Sequence, residues 1–275
     1  MKIGAMAESF RLDFKDAVHL AASLGVQGIQ AYANGETVHE KMSAGEIREA
    51  RAVVEGEGLS FSALCGDFGC AMYYTGDRSE IEREKRVIAL APALGTKTVT
   101  THIGVIPENE CAQYDSMFRV YRELAEFAAS AGVRFAIETG PEPARTLKAF
   151  LDRIDSRGSA VNLDPANLVM CAGDDPVAAV EILKSYIVHT HAKDGVQHRK
   201  FDTRRVYCPT FYGLEREPAG AFTETPLGEG GVDWTNYIAA LEKIGFDGFL
   251  TIEREVGDRP AEDIAAAVGF LKKFL

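Results

Sequence analysis

Long apolar runs are missing from this chain. No stretch approaches the roughly 20 consecutive apolar residues of a membrane helix, so no membrane span is expected. The opening residues Met1-Lys2-Ile3-Gly4 carry no apolar signal region, which argues against secretion and for the cytoplasm. Cysteine is sparse and unpatterned. Cys65, Cys70, Cys111, Cys171 and Cys208 form an odd set of five without CxxC spacing. That pattern suggests free thiols in a reducing compartment rather than a disulfide frame or a zinc knuckle. Basic clusters are absent as well. With 30 Lys plus Arg against 41 Asp plus Glu, the net charge is −11. This speaks against nucleic acid as a partner and gives no hold on an anionic membrane. There is no linker, low-complexity tract or break in composition, so the 275 residues read as one domain, 1–275.

What the chain does contain is alternation. Short β-branched runs recur at 2–6, 28–32, 59–64, 97–102, 133–138, 159–164, 186–191 and 248–253, each followed by a helical pattern. Leu147, Phe150, Leu151 and Ile154 fall at helical spacing, as do Trp234, Tyr237, Ile238 and Leu241, and then Ile264, Val268, Leu271 and Leu275. Gly25, Gly95, Gly132 and Gly245 stand where helices should end. Eight βα units in about 250 residues fit an α/β fold of the (β/α)8 TIM-barrel type. A doubly wound sheet built for a nucleotide would need a glycine-rich first βα turn, and Ala5-Met6-Ala7-Glu8-Ser9 is not one. The stretch 195–232 after the seventh strand is far too long for a βα loop. It is expected to be a lid or a dimerisation arm exposing Phe201, Tyr207, Phe211 and Tyr212, with a homodimer or higher homo-oligomer as the consequence.

Strand parity then points to chemistry. Residues two apart on a barrel strand face the same side. Placing Glu138, Asp164, His191 and Glu253 inward puts mainly apolar residues on the helix side of each strand and a polar residue at each C-terminal inner end. The same parity sends His102, Thr100 and Thr98 inward, and His189 with them. Singly, each has a plain reading: Glu138 as a cap, Asp164 before Pro165 as a turn, His191 as a satisfied barrel histidine, Glu253 as a partner of Arg254. Jointly, Glu138, Asp164, His191 and Glu253 form a three-carboxylate, one-imidazole set. Such a set suits one divalent ion, Mn²⁺ first, with Mg²⁺, Co²⁺ and Zn²⁺ as alternatives. His102 and His189 become candidate binders of substrate hydroxyls. Lys193 and Asp194 read either as support for the site or as a solvated pair. Gly228-Glu229-Gly230-Gly231 reads as a tight turn rather than a phosphate cradle, because Glu229 would repel the anion.

Ile137-Glu138-Thr139-Gly140-Pro141-Glu142, Asn162-Leu163-Asp164-Pro165-Ala166-Asn167, His189-Thr190-His191-Ala192-Lys193-Asp194, Pro226-Leu227-Gly228-Glu229-Gly230 and Ile252-Glu253-Arg254-Glu255 occur in this order. In these stretches the chain resembles the xylose isomerase-like TIM-barrel family of sugar phosphate isomerases and epimerases. The resemblance implies a single divalent metal on Glu138, Asp164, His191 and Glu253, with the two glutamates as the acid/base pair. It places Asn167 where ketose epimerases usually carry a histidine, a substrate-facing position shared with His102, His189 and Lys193. The arginine those enzymes carry after the strand-seven histidine is out of register here, at Gln197-His198-Arg199.

The implied activity is a metal-dependent isomerase or epimerase of a small sugar, sugar phosphate or keto-polyol, acting through an enediolate. A dehydratase or lyase of the inositol-breakdown type is the alternative on the same site. An endonuclease IV-like nuclease would need more histidines and a basic groove. A silent sugar-binding subunit would bind without turnover.

Overall fold

The computed structural model describes residues 1–275. Eight strands close into a barrel: β1 (Lys2–Met6), β2 (Gly28–Tyr32), β3 (Ser60–Cys65), β4 (Thr98–Thr101), β5 (Arg134–Glu138), β6 (Ser159–Leu163), β7 (Ile187–Ala192) and β10 (Phe249–Ile252). Each pairs in parallel with its sequence neighbour, and β10 closes the cylinder against β1. Two further strands, β8 (Asp194–Gln197) and β9 (Phe222–Thr225), form an antiparallel hairpin at the barrel mouth. The eight expected strand runs all materialise. His102 and Glu253 sit one residue past their strand ends, already on the rim.

The helices are α1 (Phe14–Leu24), α2 (Ala44–Gly56), α3 (Ala71–Thr75), α4 (Arg78–Leu94), α5 (Ala112–Ser130), α6 (Ala144–Ile154), α7 (Pro165–Asn167), α8 (Pro176–Leu183), α9 (Trp234–Lys243) and α10 (Pro260–Leu271). Their apolar stripes lie against the outward faces of the strands. Leu147, Phe150, Leu151 and Ile154 of α6 are all buried, as are Trp234, Tyr237, Ile238 and Leu241 of α9. The last stripe is shorter than its period implies: α10 buries Ile264, Val268 and Leu271, but Leu275 lies beyond the helix and is 51% exposed. Gly25 and Gly95 end α1 and α4 in the left-handed region, at φ 85° and 90°, where a side chain would be strained.

Inside the barrel the strands supply small residues or polar ones. Ala63, Ala136 and Ala160 are fully buried, as are Gln30, Thr100, Asn162 and Thr251. The alanines leave the width that long polar side chains need to cross the lumen.

Residues 195–232 fold over the mouth as a lid rooted in the β8–β9 hairpin. The exposed aromatic arm expected of this stretch is not found. Phe201 stacks on Phe222 at 5.5 Å, Phe211 on Tyr74 at 4.4 Å, and Tyr212 meets Tyr74 edge-on at 5.5 Å. All four aromatics are half-buried on their own chain, because the mouth offers them a local apolar surface. The expectation of five free thiols also needs correction. Cys70 and Cys208 are joined as a disulfide with Cα atoms 6.0 Å apart, while Cys65, Cys111 and Cys171 are free. The lid brings Cys208 across 138 residues of sequence to Cys70, a proximity no local spacing announces.

Candidate active site

Glu138, Asp164, His191 and Glu253 meet at the C-terminal end of the barrel, with one ligand atom from each lying within 4.8 Å of all the others. Each occupies the same inner position on β5, β6, β7 and β10 or one residue beyond, so the closed sheet converges them. All four are buried, from fully in Asp164 and His191 to 7% exposed in Glu253. His191 Nδ1 lies 3.3 Å from Glu253 Oε2, 3.4 Å from Asp164 Oδ2 and 3.5 Å from Glu138 Oε1. Neither His191 Nδ1 nor Asp164 Oδ2 has a hydrogen-bond partner. A buried polar atom without a partner is costly. Two such atoms, aimed at a knot of carboxylates, fit a divalent cation held by hard oxygen donors and one imidazole.

A net of buried side chains holds this cluster from below. Gln30 Oε1 lies 3.2 Å from His191 Nε2 and 2.8 Å from His189 Nε2, and Gln30 Nε2 donates to Thr100 Oγ1 at 3.1 Å. Asn162 Nδ2 donates to Glu138 Oε2 at 3.2 Å and lies 3.1 Å from His191 Nε2. Asp164 caps α7, its Oδ1 accepting from the Asn167 N–H at 2.8 Å, and this turns the other oxygen toward the cluster. Asn167 Nδ2 then donates to Glu138 Oε1 at 3.0 Å.

Electrostatics follow from this packing. Burial pushes the Glu138 carboxyl up, but His102 and His191 beside it prevail and hold it well below the usual range. Burial also raises Glu253, and Lys193 and His191 overcome it, leaving the carboxyl at about 2. Asp164 is raised by burial. His189 is depressed to about 3, first by burial and then by His191, so it is neutral.

The sequence candidates divide into two levels. His102, Asn167, Lys193, Glu138 and Glu253 line a cavity of about 830 Å³ under the lid. His102 is held between carboxylates, with Nδ1 3.1 Å from Asp67 Oδ2 and Nε2 3.4 Å from Glu138 Oε1. Lys193 Nζ donates to Glu253 Oε2 at 3.0 Å and to Glu255, and lies 3.7 Å from Glu224 Oε2. His189 stands apart. It is 1% exposed, bonded to Gln30 and 2.9 Å from Thr251 Oγ1, and lies outside the cavity lining. Its inward parity is as expected, and its ring is engaged within the barrel.

The glycine-rich turn wraps a carboxylate of its own. Asp194 accepts from the N–H groups of Gly195 at 2.9 Å, Gly228 at 3.0 Å and Val232 at 3.1 Å, and from Trp234 Nε1 at 2.9 Å. A Cβ on Gly230 would run into Asp194, which explains the glycine. Sequence reading passed over two participants. Gln30 had a signal, since it is the one large polar residue on an otherwise apolar strand. Glu224 had none, because only the hairpin brings it to Lys193 and to Arg254, whose Nη1 donates to it at 2.6 Å.

A closed parallel barrel whose C-terminal rim gathers three carboxylates and an imidazole under a lid defines a TIM barrel with a candidate metal site at its mouth. The sequence profile described as xylose isomerase-like TIM barrel matches residues 18–274, and the chain belongs to that family. It is 24% identical over 184 residues to inosose isomerase of Bacillus licheniformis, a match covering 65% of this chain and 61% of that protein. The chain spans about three fifths of the length of the curated relatives it matches, 57% and 61%. The xylose isomerase domain protein of Planctomyces limnophilus superposes with a TM-score of 0.78 at 24% identity, over 99% of this chain and 96% of that one. D-psicose 3-epimerase of Clostridium cellulolyticum, solved with D-tagatose, does so at 0.73 and 17% identity, over 100% of this chain and 99% of that one. At these identities the two structures share the fold with this chain.

Proposed function

We propose that the chain is a divalent-metal-dependent isomerase or epimerase of a small, unphosphorylated sugar or keto-polyol. The observation that carries this reading is the buried meeting of Glu138, Asp164, His191 and Glu253 at the base of the cavity beneath the lid, with Asp164 Oδ2 and His191 Nδ1 left unpartnered. These four residues would hold the ion, Mn²⁺ in the first instance. When bound there, it supplies a Lewis acid for the carbonyl and the neighbouring hydroxyl of the substrate.

The chain's own groups do the rest. Glu253 Oε2 is engaged by Lys193, and its Oε1 makes no hydrogen bond within the chain. That free oxygen takes the proton from the carbon beside the carbonyl. Glu138, three strands along the barrel on β5, returns a proton to the other face or to the adjacent carbon, drawing it from His102, whose Nε2 lies 3.4 Å from its Oε1 and which the neighbouring carboxylates keep protonated. Its two oxygens are steadied by Asn167 and Asn162, so it stays in line during the exchange. His102, oriented by Asp67, and Asn167 bind substrate hydroxyls. The lid excludes water from the intermediate.

Two features favour a substrate without phosphate. Asp194 already occupies the ring of N–H donors at 228–232, where barrels often seat phosphate. The carboxylates of the cavity wall, Asp67, Glu138, Glu217, Glu224, Glu253 and Glu255, also outnumber its basic chains Lys193 and Arg216. The test is metal content of the purified protein, followed by solvent-deuterium incorporation across a panel of ketoses and inososes. Incorporation without a change in product mass supports the reading. Loss of water from the product identifies a lyase instead, and no incorporation with any member of the panel rejects proton-transfer chemistry on these substrates.

A further inference from the structure

We propose that Cys70 and Cys208 form a thiol-reducible latch that keeps the lid closed with Tyr207 seated against the cavity, and that Tyr207 is the lid residue a substrate meets.

Tyr207 is the lid residue that reaches His102. Its ring centre lies 5.5 Å from that of His102, and its hydroxyl is 3.8 Å from Cys171 Sγ. It lines the cavity together with Glu138, His102 and Asn167. A Cβ on Gly140 would run into its hydroxyl, so the loop after β5 is shaped to admit it. The next residue, Cys208, is bridged to Cys70 at the entrance of α3. That helix also carries Tyr74, which receives Phe211 at 4.4 Å. The lid is thus tied to this one short helix by a covalent bond and by the contacts of Phe211 and Tyr212 with Tyr74. Both bridged cysteines line the cavity and are reachable from it.

The backbone of Cys208 adds an independent sign. It is in the left-handed region at φ 64°, where a residue with a Cβ is disfavoured unless its surroundings impose the conformation. Here the bridge holds the Cys208 side chain, and contacts with His102 and Cys171 hold the preceding Tyr207. Breaking the bridge removes one of those constraints and favours withdrawal of the lid.

The chemical step is thiol–disulfide exchange. One thiolate of an external dithiol attacks a cysteine sulfur and displaces the other cysteine as a thiolate. The reagent's second thiol then releases the first cysteine. Two electrons and two protons pass to Cys70 and Cys208, and the dithiol departs as its own disulfide. A reducing compartment would open the lid and an oxidising one would close it.

The latch stands on these contacts alone. The substrate contact of Tyr207 rests on the sugar-site reading above. The experiment therefore has two arms. In the first, the full-length protein is compared before and after dithiothreitol. Thiol titration of the denatured, unreduced protein should find three free thiols, those of Cys65, Cys111 and Cys171, with Cys70 and Cys208 appearing only after reduction. Hydrogen exchange of peptides from 198–221 should accelerate about tenfold on reduction. The Cys70→Ser/Cys208→Ser protein should show the fast rate whether or not dithiol is present. Five free thiols at the outset, or lid exchange that reduction leaves unchanged, overturns the latch. In the second arm, dithiol should raise the KM of a turned-over sugar about tenfold with kcat changed less than about twofold. Tyr207→Ala should raise KM similarly and Tyr207→Phe should recover most of the loss. An unaltered KM in Tyr207→Ala overturns the substrate contact. If no sugar is turned over at all, the sugar-site reading fails and takes the substrate contact with it, while the first arm still decides the latch.

Discussion

The cluster and the lid face each other across one cavity and are built on opposite principles. Glu138, Asp164, His191 and Glu253 stand on the ends of four strands, and a buried net through Gln30, Asn162 and Asn167 restrains them. The lid has little regular structure between its hairpin strands, and aromatic contacts plus one disulfide hold it on the wall. Rigid strand ends suit groups whose separations must stay within fractions of an ångström. A loop with few anchors suits a part that has to move for substrate to enter.

The sharpest way to separate the two regions is to remove the acid/base oxygens. Glu138→Gln and Glu253→Gln should each lower solvent-deuterium exchange by roughly a thousandfold or more, as expected when a positioned proton-transfer group is lost. Exchange retained in both would mean that neither carboxylate transfers the proton. Next in size is the net below the cluster. Gln30→Leu should weaken Mn²⁺ binding about 10–100-fold by calorimetry, since partners behind a ligating imidazole commonly matter that much. A lid variant, Phe211→Ala, should leave that affinity unchanged. Equal losses in both would erase the contrast drawn here.

A third comparison uses pH. Glu142, on the loop after β5, is 5% exposed, and burial lifts its carboxyl from 4.5 to about 8, against a hydrogen bond from the Ile106 N–H. Between those values the folded chain keeps the proton that the unfolded chain has lost, so this group makes stability fall as pH rises from 4.5 to 8. Glu142→Gln should flatten that slope. Its advantage over the parent in denaturant titration should grow to the order of a few kcal/mol by pH 8. A difference that does not change with pH would show that Glu142 is charged in the fold. The smallest effect belongs to the lid's own packing: Phe211→Ala should cost about 1 kcal/mol of global stability, within the range of one aromatic pair, while proteolysis of 198–221 accelerates.

Much of this was legible in the sequence, for an identifiable reason. Parity along β5, β6, β7 and β10 is a local property, and the closed sheet converts it into convergence. The four cluster residues therefore come together at the rim where parity placed them. Depth was not legible. His189 and His191 share a face, yet only the closed barrel brings Gln30 and Thr251 onto the His189 ring and leaves it outside the cavity lining. The helical period likewise could not tell that α10 stops before Leu275. The lid was legible as a length and not as a structure, because nothing periodic marks where Tyr207, Phe211 or Glu224 will land.

Local chemistry, written in β-branched runs, terminal glycines and alternating faces, determined by itself that this chain forms a (β/α)8 barrel with an acidic rim. The pairing of Cys70 with Cys208, the filling of the 228–232 turn by Asp194 and the depth of His189 were decided only by the tertiary structure. The physical reason is one of range. Secondary structure follows from neighbours a few residues apart, whereas these contacts join segments up to 159 residues apart that meet only once the barrel has closed.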